Sequence, residues 1–460
     1  MVPCAVNLSS VGVGAAIGWT AQALAVLRGE RPGSPLRLSL DQASWASALV
    51  PLGALAGALP AGYLADAVGR KRALLGETAP MIAGWLLILF AGDAVWLLYL
   101  GRVLTGLGVG ANAVLVSIYC EEIAQVRVRG KLGSYLDVLV CVGMLLVYVT
   151  GALLPYFWYT LVSLLPPVAF LLTFCWMPES PAFLVARGRV EDARLALAWL
   201  RGPDADIGPE LRDLQNLMKR PSDGPRRVSC LCCSFPRVDR VDLKALAIVF
   251  GLMFFTQATG VNIFIFYITD VFKEAGTDLS PRMATVVIGA VHLVGTAFPT
   301  LTVDRLGRRL ILGVAGLVNG LCLVVMSVYS FLDVEGYDLD AWRWVPLAAL
   351  VIFMFMISAG PGPLCWFMMA ELLPMSIKGW GSALAVAFSR LCVVLLVKEF
   401  PPMALALGLD VTYAIFAVQS FLGIAFTMWC VPETKGKTKE EIQRELRGEK
   451  RNVERTNEDC

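Results

Sequence analysis

Twelve runs of mostly apolar residues pass along this chain, and no other feature constrains its fold as tightly. A helix that crosses a hydrocarbon core needs about 20 such residues, at a rise of about 1.5 Å each. Six runs fall at 3–27, 45–65, 73–92, 95–118, 132–154 and 157–177. A polar stretch over 178–243 separates them from six more, at 245–271, 284–303, 310–332, 344–370, 380–400 and 411–431. The composition agrees, with 57% of residues hydrophobic, 17% charged and a mean hydropathy of +0.67, whereas soluble domains carry about a quarter of their residues charged. An all-α membrane protein with twelve transmembrane helices is expected. The domains expected are a six-helix half at 1–177, a cytoplasmic linker at 178–243, a second half at 244–432 and a cytoplasmic tail at 433–460.

The N-terminus shows no basic leader, so the first apolar run is expected to persist as a helix. Orientation follows the basic residues of short loops. Arg70, Lys71 and Arg72 follow span 2, Arg127, Arg129 and Lys131 follow span 4, and Arg305, Arg308 and Arg309 follow span 8. These loops share a side with the linker and tail, which places both termini in the cytoplasm. Arg28, Arg31 and Arg37 run against the rule, in the loop after span 1. The net charge of +2 argues neither for nor against a nucleic-acid partner, and none is expected; the lipid bilayer is. The twelve Cys show no disulfide spacing. Cys230, Cys232 and Cys233 cluster in the linker without a nearby His, as free or acylated thiols rather than a zinc site. No cofactor or metal is implied.

Two loop signatures recur. Asp66 to Arg70-Lys71 after span 2 returns as Asp304 to Arg308-Arg309 after span 8, with the two Asp 238 positions apart. Glu122 stands seven residues before Arg129, and Glu371 seven before Lys378, with the two Glu 249 positions apart. Similar offsets for two signatures make the halves a duplication, hence two pseudo-symmetric six-helix units around a central site. In each loop a Gly permits a tight turn, while the acidic and basic residues sit at helix ends, where they complement dipoles and pair across helices.

With these loops go Arg102, Gly106 and Gly110 in span 4, Tyr119-Cys120-Glu121-Glu122, Pro178-Glu179-Ser180-Pro181, Gln257-Ala258-Thr259-Gly260-Val261-Asn262, Gly360-Pro361-Gly362-Pro363 through Trp366, and Pro432-Glu433-Thr434. In this order and over nearly the whole length, the chain resembles the sugar porter family of the major facilitator superfamily. Within it, the chain is most similar to insect facilitated trehalose transporters and facilitative glucose transporters. The resemblance implies the major facilitator fold and an intracellular charge network of Glu122, Arg129, Glu179, Glu371 and Glu433 that holds an outward-open state. Lys378 stands where the family usually has Arg, and an ammonium lacks the bidentate fork. Ala182 likewise replaces an Arg. The cytoplasmic lock is therefore expected to be looser than is typical.

A neutral sugar offers hydroxyls and a weakly apolar ring face, so its site needs inward amides and hydroxyls plus an aromatic. Span 7 supplies Thr256, Gln257, Thr259, Asn262 and Tyr267. Gln257 and Asn262 stand about 140° apart on an ideal helix and converge only if span 7 breaks, which Gly260 permits. Polar groups in a membrane helix default to function, with interhelical hydrogen bonding as the plain alternative. In span 10, Gly360, Pro361, Gly362 and Pro363 should kink or unwind the helix, as a hinge or a static bend. Trp366, about one turn beyond, suits stacking on a sugar ring or core packing.

Several positions depart from the family. Thr256 replaces a Gln, Asp137 falls near a Gln position, His292 (the chain's one His) replaces Asn, and Ser389-Arg390 replaces Asn-Trp. Ionisable groups at mid-membrane usually mark substrate or proton paths. Asp137, His292 and Arg390 are thus expected either to line the cavity and alter its substrate or proton coupling, or to form a structural charge pair, with Arg390 alternatively snorkelling toward an interface. Apolar spacing at Leu195 with Trp199, and Leu211 with Leu214, predicts a helical linker near 189–219. The sequence lacks a phosphate-binding Gly-rich loop and a nucleophile–base constellation, so a primary pump or an enzyme is not expected. Facilitative transport of trehalose or a hexose across the plasma membrane, by a functional monomer, is the leading expectation. A proton symporter and a transporter-like sensor stand as alternatives.

Overall fold

The computed structural model describes residues 2–29, 36–123, 129–202, 207–219, 240–274, 280–298, 307–374, 377–435, 441 and 444–445. Among them every regular element is helical. The first six spans are α1 (Val2–Leu27), α2 (Leu40–Val68), α3 (Arg70–Leu89), α4 (Val95–Ile123), α5 (Arg129–Leu153) and α6 (Tyr156–Phe174). Short helices α7 (Pro181–Ala186), α8 (Val190–Arg201) and α9 (Gly208–Lys219) follow in the linker. The second set comprises α10 (Arg240–Ala258) with α11 (Val261–Glu274), then α12 (Pro281–Ala297) and α13 (Arg308–Val334). It continues with α14 (Val345–Ala359) and α15 (Pro361–Leu372), and closes with α16 (Lys378–Leu407) and α17 (Leu409–Cys430). Eleven of these stretches, counting α10–α11 and α14–α15 as one each, are long and apolar enough to cross a bilayer, and α12 is a shorter apolar helix.

Small residues let helices within a half approach closely. A Cβ at Gly53 of α2 would lie 2.4 Å from the Val103 carbonyl oxygen, and one at Gly110 of α4 only 1.9 Å from that of Ala54. Lipid gives helices no hydrophobic reason to associate, so this backbone proximity supplies the packing. Arg102 is buried beside it and clamps three helices. Its guanidinium donates to the Ala46 and Ala16 carbonyls, each at 3.1 Å, and to the Thr20 hydroxyl, and it lies 5.1 Å from the Trp19 ring centroid.

Buried apolar residues divide unevenly along the membrane normal. At the end away from the linker one cluster spans both halves, joining Trp19 and Tyr148 to Phe264, Tyr267 and Val397. At the linker end each half keeps its own cluster, around Tyr119 and Phe174 in one and around Met368 and Val431 in the other. The halves therefore share a core at one end only.

One expectation shifts, and the helical linker expected near 189–219 forms as α8 and α9 with a different buried face. α2 begins at Leu40, five residues before the apolar run, because Ser39 and Gln42 form a reciprocal capping box. The Ser39 hydroxyl accepts from the Gln42 amide at 3.2 Å, and the Gln42 side chain accepts from the Ser39 amide at 3.0 Å. In the linker, Leu195 and Trp199 face outward, with 68% and 51% of their surface exposed. The buried side of α8 is instead Ala193, Ala196 and Leu197; the two alanines pack on Leu184 and Val185 of α7, with Leu211 and Leu214 of α9 against the same cluster. Cys230, Cys232 and Cys233 lie outside the described residues.

Candidate transport site and its gates

Span 7 breaks where the sequence allows it. α10 ends at Ala258, α11 starts at Val261, and Gly260 between them has φ +80°. Across that break the Asn262 amide donates to the Gln257 carbonyl oxygen, while Gln257 Nε2 donates to the Ser389 hydroxyl at 3.0 Å. The break brings two amides and a hydroxyl from α10, α11 and α16 into one chain of donors and acceptors. Thr259 turns onto backbone instead, at the Thr256 carbonyl at 2.8 Å, while Thr256 donates to the Leu252 carbonyl at 2.8 Å and meets the Cys365 sulfur of α15 at 2.9 Å. Tyr267 is buried, and its hydroxyl donates to the Val397 carbonyl at 3.0 Å, inside the core shared by the two halves. That position differs from the sugar-facing one expected of it.

Span 10 is likewise interrupted. Gly360, at φ −129° and ψ −99°, separates α14 from α15. A Cβ at Gly360 would come within 2.8 Å of Ala315 Cβ, and one at Gly362 within 3.0 Å of the Ile357 carbonyl oxygen. Trp366, on α15, has the Arg390 guanidinium 6.0 Å from its ring centroid. No ion pair joins Asp137, His292 or Arg390 to another described residue. The alternative of a structural charge pair among them is thus not met among the described residues. Asp137 lies on α5 one turn before Cys141, whose sulfur meets the Thr296 hydroxyl of α12 at 3.2 Å. His292 stands one turn before Thr296, whose hydroxyl donates to the His292 carbonyl at 2.8 Å.

At the linker end the expected charge network resolves into two clusters, one per half. In the first, Arg70 opens α3 and holds Glu122 through Nε at 3.1 and 3.0 Å and through NH2 at 2.9 Å, with Asp66 on the same nitrogen at 2.9 Å. The Ser180 hydroxyl also donates to Glu122. Glu179 accepts the Lys71 and Ser180 amides, both at 2.9 Å, and so caps the N-terminus of α3. In the second, Arg308 meets Glu371 at 3.6 Å, and Glu433 caps α13 by accepting the Arg308 and Arg309 amides at 3.1 Å each. Asp304 lies outside the described residues, as do the side chains of Arg129 and Lys378, which open α5 and α16.

Polar contacts between the halves lie elsewhere. Arg28, just past α1, pairs with Asp270 of α11, and Asp41, in the first turn of α2, accepts from Lys398 of α16 at 2.7 Å. The Thr269 hydroxyl donates to the Ala21 carbonyl at 2.6 Å, and that of Tyr148 to the Ile265 carbonyl at 3.2 Å. Sequence reasoning passed over Asp41, Asp270 and Lys398 and treated Arg28 as an exception to the charge rule. One available signal was the capping box at Ser39, which starts a helix and puts Asp41 in its first turn.

A family model described as "Sugar (and other) transporter" matches residues 11–446. The chain belongs to that family. A protein named facilitated trehalose transporter Tret1-2 homolog, from Drosophila simulans, is 35% identical over 443 residues, 96% of this chain and 90% of that one. The facilitated trehalose transporter Tret1 of Polypedilum vanderplanki is 34% identical, over 98% of this chain and 88% of the relative. Among solved structures, an inward-open conformation of the xylose transporter XylE from E. coli superposes with a TM-score of 0.77 at 20% identity, covering 96% of this chain and 98% of that one. XylE bound to 6-bromo-6-deoxy-D-glucose gives 0.74 at 21% identity, with coverage of 97% and 98%. These likenesses establish the twelve-helix fold of two six-helix halves. As a member of the sugar transporter family, the chain combines that frame with a Ser389-Arg390 pair beside the Gln257–Asn262 amides.

Proposed function

We propose that this protein carries a neutral sugar, trehalose or a hexose such as glucose, across the plasma membrane by facilitated diffusion with alternating access. It is read as a transporter rather than an enzyme, acting as a monomer with both termini in the cytoplasm. The single observation that carries this reading is the break at Gly260, which gathers the Gln257 and Asn262 amides with Ser389. Such a set matches the alternating donors and acceptors of sugar hydroxyls. The names of the trehalose transporter relatives point the same way. On this reading Gln257 and Asn262 exchange partners with the substrate, Trp366 covers its ring face, and the breaks at Gly260 and Gly360 serve as hinges. The core shared at one end only corresponds to a conformer facing the cytoplasm.

Uptake of radiolabelled trehalose and glucose in oocytes, at pH 5.5 and 7.5, tests the proposal. Saturable uptake of either sugar, insensitive to pH and lost in Gln257→Ala at unchanged surface expression, is the expected result. Uptake that rises at acid pH and loses that dependence in Asp137→Asn would replace facilitated diffusion with proton coupling. No uptake of either sugar at verified surface expression would overturn the assignment and favour a sensor.

A further inference from the structure

The two ends of the membrane domain handle charge in opposite ways. At the linker end, each described ion pair between spans stays within one half: Asp66 and Glu122 with Arg70 in the first, Glu371 with Arg308 in the second. At the other end both described ion pairs between spans cross from one half to the other, Arg28 to Asp270 and Asp41 to Lys398, while Arg343 with Asp340 stays within one loop. We propose that these crossed pairs form an outer lock that holds the protein in its cytoplasm-facing state. The inference rests on the sidedness adopted above but goes beyond it, to the residues that set the resting conformer.

The two pairs have opposite polarity, since the first half gives the cation to one and the anion to the other. That alternation fixes the register of the seam, because a slipped alignment would bring like charges together. The partners from the first half also sit where helix dipoles favour their charge, Arg28 at the C-terminus of α1 and Asp41 in the first turn of α2. They remain well placed when the lock opens, so exchanging the pair for water costs little at these two sites. The burdens differ. Arg28 and Asp270 keep only 17% and 19% of their side-chain surface exposed, whereas Asp41 keeps 72% beside Lys398 at 16%. The desolvated pair is the stronger bolt and the second an exposed latch, braced by Lys398 lying 5.2 Å from the Trp45 ring centroid. The direction of the imbalance is set at the inner end, where Lys378 and Ala182 stand in place of arginines that resemblance to the family leads one to expect.

The test reads conformation without any sugar, so it stands or falls separately from the transport assignment. Thr269 is buried, and its hydroxyl touches the Ala21 carbonyl across the seam. In a Thr269→Cys form of the full-length chain, a membrane-impermeant maleimide applied to intact cells should label slowly, above the background of the parent's native thiols. Arg28→Gln or Asp270→Asn should speed labelling about tenfold, the scale of one charge-assisted hydrogen bond in a partly desolvated site. Asp41→Asn should speed it only about twofold, as for an exposed pair. The exchanged pair Arg28→Asp with Asp270→Arg should return the rate toward that of the Thr269→Cys form. Raising salt on that form should also speed labelling by screening, which needs no further variant to fold. Rates unmoved by salt and by both neutralising substitutions would overturn the lock, as would an exchange that fails to restore a seam opened by both single changes.

Discussion

The two charge clusters at the linker end descend from one pattern but have not kept one geometry. Each has a positive-φ glycine, an arginine that opens the next helix, a glutamate on a neighbouring span and a capping glutamate past the last span of its half. In the first half Arg70 grips Glu122 with two nitrogens, and the Ser180 hydroxyl completes the carboxylate's shell. In the second half Arg308 reaches Glu371 at 3.6 Å, and Glu371 Oε2 has no hydrogen-bond partner among the described residues. Part of the difference is the hydroxyl that follows each capping glutamate. Where the first copy has Ser180, the second has Thr434, whose hydroxyl turns to the Met368 sulfur at 3.4 Å. Duplicated sequence thus produces one cluster that is satisfied within its half and another with an acceptor left for a new partner.

The largest effect expected from this asymmetry is on stability. Arg70→Ala leaves Glu122 partly buried without its fork and should cost on the order of 2–3 kcal/mol, read as a lower melting temperature in detergent. Arg308→Ala should cost less, since Arg308 meets Glu371 at the longer distance of 3.6 Å. Equal losses would mean the two clusters are equivalent after all. The glycines sharpen the same contrast. A Cβ at Gly69, where φ is +105°, would sit 2.4 Å from Glu179 Oε2, whereas one at Gly307, with φ +88°, would sit 3.1 Å from Glu433 Oε2. Both Gly→Ala changes carry left-handed strain of about 1–3 kcal/mol. Gly69→Ala adds displacement of the capping carboxylate, so its melting temperature should fall further than that of Gly307→Ala.

How much of this was legible depended on whether the cause was local. Spans are written by unbroken apolar runs, so their number and order could be read, and the breaks could be read from Gly260 and from the Gly-Pro alternation at 360–363. The duplication was visible because it repeats spacing. The capping roles of Glu179 and Glu433 were not, since each acts on a helix more than a hundred residues away in sequence, and nothing near it encodes that approach. Tyr267 shows the same limit from the other side. Its place on span 7 was readable, but its burial under Val397 depends on how α11 and α16 meet. Arg28 looked anomalous because the charge rule describes insertion, whereas its partner Asp270 belongs to the folded seam. On α8 the spacing of Leu195 and Trp199 was helical, yet a smaller face, Ala193 with Ala196 and Leu197, won the packing.

A smaller change should bring the second cluster closer to the first. Thr434→Ser removes the methyl group that distinguishes it from Ser180 and frees the hydroxyl to rotate toward Glu371. A gain of about 0.5–1 kcal/mol is expected, the net worth of one hydrogen bond. Its signature is coupling: the gain should vanish in Glu371→Gln but survive in Glu122→Gln. A gain that survives in Glu371→Gln would place its origin at the Met368 contact instead.

The smallest effect concerns protons at the cap of α13. Burial pushes the Glu433 carboxyl up, but the amides of Lys435, Arg308, Arg309 and Thr434 donate to it and together hold it below its ordinary 4.5. Donors aimed at the charged form favour that form, and those on Arg308 and Arg309 belong to a helix N-terminus that attracts an anion. The folded protein therefore binds this proton less readily than the unfolded chain does. Its contribution to stability is complete above the unfolded value and is lost as pH falls through the lower, folded one. The melting temperature of the parent should exceed that of Glu433→Gln by a constant margin from neutral pH down to about pH 5, then converge with it under further acidification. A margin that widened on acidification would mean the carboxyl is protonated in the fold. The cap would then work as a neutral hydrogen-bonding group, and the second cluster would lack the charge that its likeness to the first requires.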